Sequence, residues 1–473
     1  MPLRAKVTNP AFAGQTRMTS TAQIPKELPG DDPDDVLFNK LYGLRTIELN
    51  RPKKLNSLNG SMVRKITPRL KEWEKSDLAN IIVLSGAGTK ALCAGGDVAA
   101  LAEQNKQGEK GQQESKNFFA LEYQLDHLIA TYSKPYISVM DGITMGGGVG
   151  LSVHAPIRIA TERTLFAMPE TTIGFFPDVG GSFFLPRLDG EVGTYLALTS
   201  ERLAGVQAYY AGIATHYLHS SSLTNLFQRL SELVFRDNAP LDKRLDLIDR
   251  TITEFSTGLP SLQEEPMLLS GSLRQSIDRC FSKSTVEEII SALESETENK
   301  EWAQKTLKTL SNRSPTSLKV TLRQLRLGKR WSISETFRRE HHIAGHFMAH
   351  PDFVSGVSAR LIHKPPTEPK WQPATLAEVT NEDVDAFFRI PSGETRLPLL
   401  SDVDYKEYPH RCFVLPREVE VEQYVKTNKP KTRAQVVEAF VQLRANKEGV
   451  KPKVWDILKR KTEETGGGLK WIG

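Results

Sequence analysis

The sequence predicts an α/β fold with a long helical C-terminal half, and three observations carry that expectation. Short, strand-like apolar runs alternate with helix-period segments through the first half of the chain, the pattern of an α/β architecture. Two of these runs lead into glycine-rich turns, Gly95-Gly96 and Gly146-Gly147-Gly148-Val149-Gly150. Strand signals then fade after about residue 186, and helical periodicity dominates through 364.

In chain order, the first 26 residues hold Arg4, Lys6, Arg17 and Lys26, five Ser/Thr between Thr8 and Thr21, and no acid. This composition suits a mitochondrial presequence, although Pro2 and Pro10 oppose the helix such a leader forms. Residues 27–35 read as an acidic linker. Leu44–Leu49 alternates apolar and polar residues until Asn50-Arg51-Pro52 stops it. Ile81–Leu84 is continuously apolar, as expected of a strand buried on both faces, and Tyr136–Met140 and Ile157–Ala160 are further strands. Phe118, Leu121, Leu125, Leu128 and Ile129 mark a helix beginning near Ser115.

Residues 36–390 are expected to form the main domain and 391–473 a basic extension. Residues 365–373 read as a proline-rich arm, and 391–431 as polar and irregular. Thr432 and Gln435 form a capping box ahead of Val436, Val437, Phe440 and Val441. Gly449 reads as a helix stop, and Val454, Trp455, Ile457 and Leu458 as a second amphipathic segment.

Composition narrows the function classes. No run approaches the roughly 20 apolar residues of a membrane helix. Cys93, Cys280 and Cys412 include no CxxC pair, which argues against a disulfide framework or a zinc ribbon and favours a reducing compartment. The net charge of +5 is segregated: residues 426–473 hold 12 Lys/Arg against 5 Asp/Glu, and the remainder is slightly acidic. Any affinity for polyanions therefore belongs to the tail.

Three segments could carry chemistry. Cys93-Ala94-Gly95-Gly96-Asp97 reads either as a turn into a helix capped by Asp97 or as a close approach of backbone N–H groups to a ligand. The cluster Gly146–Gly150 opens a helix whose exposed N–H groups favour negative charge; it matches neither a phosphate-binding GxxxxGK[ST] loop nor GxGxxG. Two N–H donors, each following a strand, can converge on one oxygen as an oxyanion hole. Glu170 and Asp178 lie in apolar, glycine-rich sequence, where desolvation raises a carboxyl pKa and suits proton transfer or nucleophilic attack. Turn or cap roles remain open for both. Glu122 reads from periodicity alone as a solvated helix residue.

The string KPYISVMDGITMGGGVGLSVHAPIRIATERTLFAMPETTIGFFPDVGGSFFLPRL (134–188) closely resembles 3-hydroxyisobutyryl-CoA hydrolases, as do NRPKKLNSLN (50–59), ALCAGGD (91–97), AGIATHYL (211–218) and SPTSLKVTLRQL (314–325). The resemblance implies a crotonase (ClpP-like) spiral of ββα units with a helical C-terminal region, here with an appended basic helical tail. It implies that the N–H groups of Gly96 and Gly147 bind the thioester oxygen and that Glu170 is the principal catalytic carboxylate. Asp178 and Glu122 would hold the substrate hydroxyl and the attacking water. It further implies an acyl-CoA substrate with CoA as part of it, no separate cofactor or metal, the mitochondrial matrix, and homo-oligomers when free. Enoyl-CoA hydratases carry a second catalytic glutamate at the position of Gly150, so hydratase activity is the weaker alternative.

Leu121, Ser355 and His363 depart from the family pattern, the last two where CoA contacts or subunit packing would be affected. His342, His346 and His350 share a helical face without an HExxH arrangement, and an ordinary polar face is expected there. Fungal proteins similar to this hydrolase include components of the mitochondrial small ribosomal subunit. That resemblance makes the subunit and its rRNA candidate partners of the tail, with Trp455 and Trp471 available for packing or base stacking. The alternative for the tail is a solvated, partly disordered extension.

Overall fold

The computed structural model describes residues 22–472 apart from 237, 392, 394 and 467. Residues 1–21, most of the expected presequence, lie outside the described residues. The acidic segment is tied down: Asp35 pairs with Lys65 at 2.7 Å and Asp31 with Arg64, both on helix α1 (Gly60–Lys75).

Strands β1 (Val36–Leu41) and β2 (Leu44–Leu49) form an antiparallel hairpin. They are followed by β3 (Ile81–Gly86), β4 (Ala91–Cys93), β5 (Tyr136–Met140), β6 (Ile143–Met145), β7 (Ile157–Ala160), β8 (Leu165–Ala167), β9 (Leu203–Ala204) and β10 (His216–Tyr217). From β3 onward one pattern repeats: a strand in one sheet, a tight turn, then a short strand in a second sheet. The sheets run β1-β2-β3-β5-β7-β10 and β4-β6-β8-β9. From β2 to β10 the first sheet pairs in parallel, as β4, β6 and β8 do in the second. Parallel neighbours require crossovers, and these wind the chain into the expected spiral of ββα units. The continuous apolar run in β3 has its cause in two-sided burial. Ile82 and Leu84 face the main core, while Ile81 and Val83 face a second cluster with Ile137, Val139, Ile157 and Ile159.

Helices α2 (Val98–Asn105) and α3 (Glu109–Ala130) connect β4 to β5, and α4 (Gly147–Val153) follows β6. α3 begins at Glu109, not near Ser115, because its first turns are polar and largely exposed and so leave no apolar period to read. Beyond the spiral, helix Ile333–Ala349 packs along α3.

The C-terminal region differs from expectation in three ways. Residues 391–431 are not simply irregular surface: Leu397, Leu399 and Leu400 are buried in the main core, and Phe413 joins the second cluster. This segment is therefore a strap over the body. A helix also forms at Glu418–Asn428, where only Val421 and Val425, four residues apart, are buried; tertiary contact decides it, since the alternating valines carry little helical signal. Gly449 caps the start of helix Val450–Lys461, while the preceding helix, Arg433–Leu443, ends six residues earlier. That earlier helix does start at the capping box of Thr432 and Gln435.

The tail is folded. Val436, Val437, Phe440, Val454, Ile457 and Leu458 form a small core that docks on Val206, Tyr209 and Tyr210 of helix Gly205–Tyr210. A hairpin of β11 (Thr462–Thr465) and β12 (Gly468–Trp471) closes it. Part of its positive charge is spent internally, with Arg460 paired to Glu418 at 2.7 Å and Lys453 to Asp189 at 3.0 Å. Trp471 packs on this core, and Trp455 stays 40% exposed beneath Lys459. No helix among the described residues is long and apolar enough to cross a membrane.

Truncating a buried phenylalanine typically costs about 3–5 kcal/mol. Phe440→Ala is therefore expected to lower the tail's free energy of unfolding in urea by that amount, seen as a lower midpoint. An unchanged midpoint would mean that the tail does not form this core.

Candidate active site

A cavity with about 430 Å³ accessible to water opens at the C-terminal ends of β4 and β6. Gly96, Gly147, Glu122, Glu170 and Asp178 all line it. Five residues spread over 83 positions of sequence thus meet in one place.

Gly96 owes its orientation to a β-bridge with Leu58. Leu58 donates to Gly95 O and accepts from Asp97 N, each at 2.8 Å. In that pairing Gly96's own N–H turns to the opposite side, toward the second glycine turn. Gly147 is the first residue of α4, where helical geometry leaves N–H groups without intrahelical acceptors. The fit around it is close: a β-carbon on Gly147 would lie 2.4 Å from Glu122 Oε1 and 3.4 Å from Gly96 N. Only glycine lets the two amides and Glu122 share this space. Asp97 does not cap α2 with its side chain; it pairs with Arg51 at 2.9 Å and Lys54 at 3.0 Å, anchoring the first glycine turn.

The carboxylates stand in a dry environment. Glu122 lies on the inner face of α3 and is 2% exposed, not solvated as its periodicity suggested, with Oε1 free of any hydrogen bond. Glu170 begins a 3₁₀ turn after β8; its Oε2 is likewise unpartnered. Burial, then the charge of Asp178, raises both acids well above the usual carboxyl range. Asp178 accepts the Tyr123 hydroxyl at 2.6 Å. Burial pushes Asp178 up to about 7, and the Tyr123 bond restrains the rise.

Sequence reasoning missed the groups that aim Asp178. Glu340, on helix Ile333–Ala349, accepts the N–H groups of Gly180 at 2.7 Å and Ser182 at 2.9 Å. Gln324 donates to Pro177 O at 2.7 Å, and His154 bonds Val179 O at 2.8 Å. The loop carrying the acid is thus clamped from the helical half. Three arginines at the cavity mouth, Arg202, Arg313 and Arg360, were also missed. Arg313 and Arg360 each keep a buried Nε with no partner. A basic residue near a glycine-rich turn would have been the sequence signal, and these three lie 24, 135 and 182 residues beyond Asp178. Two departures noted above adjoin this mouth: Ser355 bonds Lys370, and His363 bonds Thr367, on either side of the Arg360 turn.

Gly150 faces away from this chemistry. A β-carbon there would lie 2.6 Å from Asp126 Oδ2 and 2.7 Å from Val179 Cβ, so no side chain fits at the position of a hydratase's second glutamate. His342 and His346 meet edge to face with ring centroids 4.7 Å apart, and His346 and His350 both pack on Phe387. Among the described residues no group of three or more His, Cys, Asp and Glu side chains is placed to hold a metal.

A ββα spiral whose strand ends converge two backbone amides and buried carboxylates defines a protein of the crotonase class. The chain belongs to the enoyl-CoA hydratase/isomerase family, whose family model matches residues 44–388. It is 54% identical to Small ribosomal subunit protein mS47 of Neurospora crassa over 99% of this chain and 93% of that relative. It is 45% identical to the mitochondrial 3-hydroxyisobutyryl-CoA hydrolase of Danio rerio over 75% of this chain and 89% of the relative. Among solved structures, a carnitinyl-CoA dehydratase from Mycobacterium thermoresistibile superposes with a TM-score of 0.66 at 36% identity, covering 76% of this chain and 98% of that one.

Two outcomes follow from this geometry. Gly147→Ala keeps the backbone N–H but drives a β-carbon into Glu122 Oε1, so kcat is expected to fall by about 10²–10³ as the amide loses its aim, measured in steady-state thioester hydrolysis; a near-normal kcat would mean that this close fit does not matter to the reaction. The folded Asp178 carboxyl holds its proton to about 7, whereas an unfolded one ionises near 4. The cost of burying it therefore appears as pH rises between those values. Asp178→Asn should leave stability nearly unchanged at pH 4 and raise it at pH 8, by roughly 1–4 kcal/mol. Equal differences in urea midpoint at the two pH values would contradict this.

Proposed function

We propose that this chain is a mitochondrial acyl-CoA thioester hydrolase acting on 3-hydroxyisobutyryl-CoA, with 3-hydroxyisobutyrate and free CoA as products. The observation that carries the reading is the convergence of Gly96, Gly147 and Glu170 in one cavity while Gly150 has no room for a second acid. Hydration across a double bond needs two carboxylates flanking one water; hydrolysis does not. The relatives named as 3-hydroxyisobutyryl-CoA hydrolases support the choice of substrate.

In this mechanism the thioester oxygen sits between the two amides, which stabilise the charge that grows there as water adds. Glu170 accepts a proton from that water as the carbon–oxygen bond forms. The proton then passes to sulfur as the carbon–sulfur bond breaks, which a raised pKa favours. Glu122 and Asp178 hold the substrate hydroxyl. Arg202, Arg313 and Arg360 at the mouth are the cations that would meet the phosphates of CoA. CoA enters as part of the substrate, and the reaction calls for no resident cofactor or metal.

A second role is favoured by a separate observation. The Neurospora crassa small-subunit protein matches nearly the whole chain, tail included, whereas the Danio rerio hydrolase covers three quarters of it. We therefore propose that the tail docks this enzyme on the mitochondrial small ribosomal subunit, with its exposed basic residues toward rRNA.

Glu170→Gln is expected to abolish hydrolysis of 3-hydroxyisobutyryl-CoA with CoA-ester binding retained, and Arg313→Gln to raise KM about tenfold or more at little change in kcat. Hydrolysis by Glu170→Gln at near the normal rate would remove Glu170 from the mechanism. Sedimentation of mitochondrial extract should place the protein in small-subunit fractions with thioesterase activity. Protein found only at the top of the gradient would reject the ribosomal role.

A further inference from the structure

A second cavity lies between the body and the strap and shares no lining residue with the acyl-CoA site. It is lined by Arg158 of β7, by Arg187, and by Tyr405, Tyr408, Arg411 and Arg417 of the strap. The strap residues all fall beyond the family match at 44–388, so this cavity is not the family's acyl-CoA pocket.

Its charges are out of balance. Arg158 is 8% exposed and donates only to backbone carbonyls, those of Ile213 at 2.6 Å, Ala155 at 2.8 Å and Gly212 at 3.4 Å. Among the described residues no carboxylate pairs with it. Burial lowers it to about 10, which leaves it charged at neutral pH. Arg187, Arg411 and Arg417 share one carboxylate, Glu407, at 3.7, 3.8 and 3.7 Å, and Glu407 is itself half exposed. The Arg417 Nε is buried with no acceptor. The remaining cation on the wall, Lys453, is matched by Asp189 at 3.0 Å. Buried charges are ordinarily paired; Arg158, Arg187 and Arg417 are largely buried and Arg411 is half exposed, and the four guanidinium groups have one distant carboxylate among them. The space accessible to water is about 70 Å³. At about 10–15 Å³ of such volume per water, that is room for a handful of waters or one tetrahedral oxyanion.

We propose that this cavity binds a phosphate-type oxyanion, either free inorganic phosphate or the phosphate of a small phosphomonoester, and that the anion locks the strap onto the body. Planar guanidinium groups suit phosphate oxygens. Because the roof comes from the strap and the floor from β7 and the segment following β8, the anion would add a charged bridge between two parts of the chain already joined by hydrogen bonds such as Tyr408 to His154 and Tyr405 to Ala130 O.

The test is calorimetric titration of the intact full-length chain with inorganic phosphate in phosphate-free, low-salt buffer, and in parallel with glycerol 3-phosphate. One saturable site is expected, with a rise in Tm on binding. Arg417→Gln and Arg411→Gln should each weaken it about tenfold, and both variants should keep normal thioester hydrolysis, which also reports that they fold. Binding of glycerol 3-phosphate at least as tight as that of phosphate identifies a phosphomonoester as the ligand; its exclusion identifies the free ion. The proposal is overturned by no saturable binding at millimolar phosphate, by affinity that both variants leave unchanged, or by binding that Arg313→Gln abolishes, since the last would assign the phosphate to the acyl-CoA mouth.

Discussion

Glu340 joins the two halves of this protein at the point where chemistry is placed. One carboxylate from the helical half accepts two backbone N–H groups and a hydroxyl from the turn that follows Asp178. Without it, the Pro177–Ser182 segment would carry buried amide donors with no acceptor, at a cost comparable to a lost hydrogen bond for each. The spiral supplies the strand ends and their amides, while the helical half holds an acid against them. The long C-terminal half is therefore part of the active-site scaffold as well as a cover for the core.

The groups that the cavity offers to a developing negative charge are almost entirely uncharged. Its floor holds three buried acids and two peptide N–H donors, and its cations stand at the mouth. Backbone dipoles fixed by a β-bridge and a helix start need no reorganisation when charge appears, and a dry wall strengthens them. The same dryness keeps the acids protonated to higher pH than usual, so the features that favour proton transfer also make these residues a burden on stability.

The tail changes how the basic charge should be understood. Several of its cations, such as Arg460, Lys453 and Arg444, pair with acids of the tail or the body and are structural. Those left outward, with the half-exposed Trp455, form the surface available to a polyanionic partner. The proposed catalysis and the proposed docking thus fall in separate parts of one chain.

Much of this was legible in the residues themselves. The continuous apolar runs of β3, β5 and β7 follow from burial on both faces, and the capping box at Thr432 from local hydrogen bonding; both are encoded within a few neighbouring positions. The string from Lys134 to Leu188, with ALCAGGD at 91–97, was enough to indicate the spiral and to single out Gly96, Gly147, Glu170 and Asp178. Periodicity misjudged Glu122, because a helix pattern records which face is apolar and not whether a polar residue is enclosed by another element. The start of α3, the helix Glu418–Asn428, the burial of the strap, the clamp by Glu340 and the arginine mouth all depend on contacts between segments far apart in the chain. Local sequence determined the longer strands, the glycine turns and the identity of the candidate reacting groups, because those rest on short-range geometry and side-chain chemistry. Only the tertiary structure decided which of those groups are dry, which are paired and where they meet, because burial and charge compensation are properties of the packed whole.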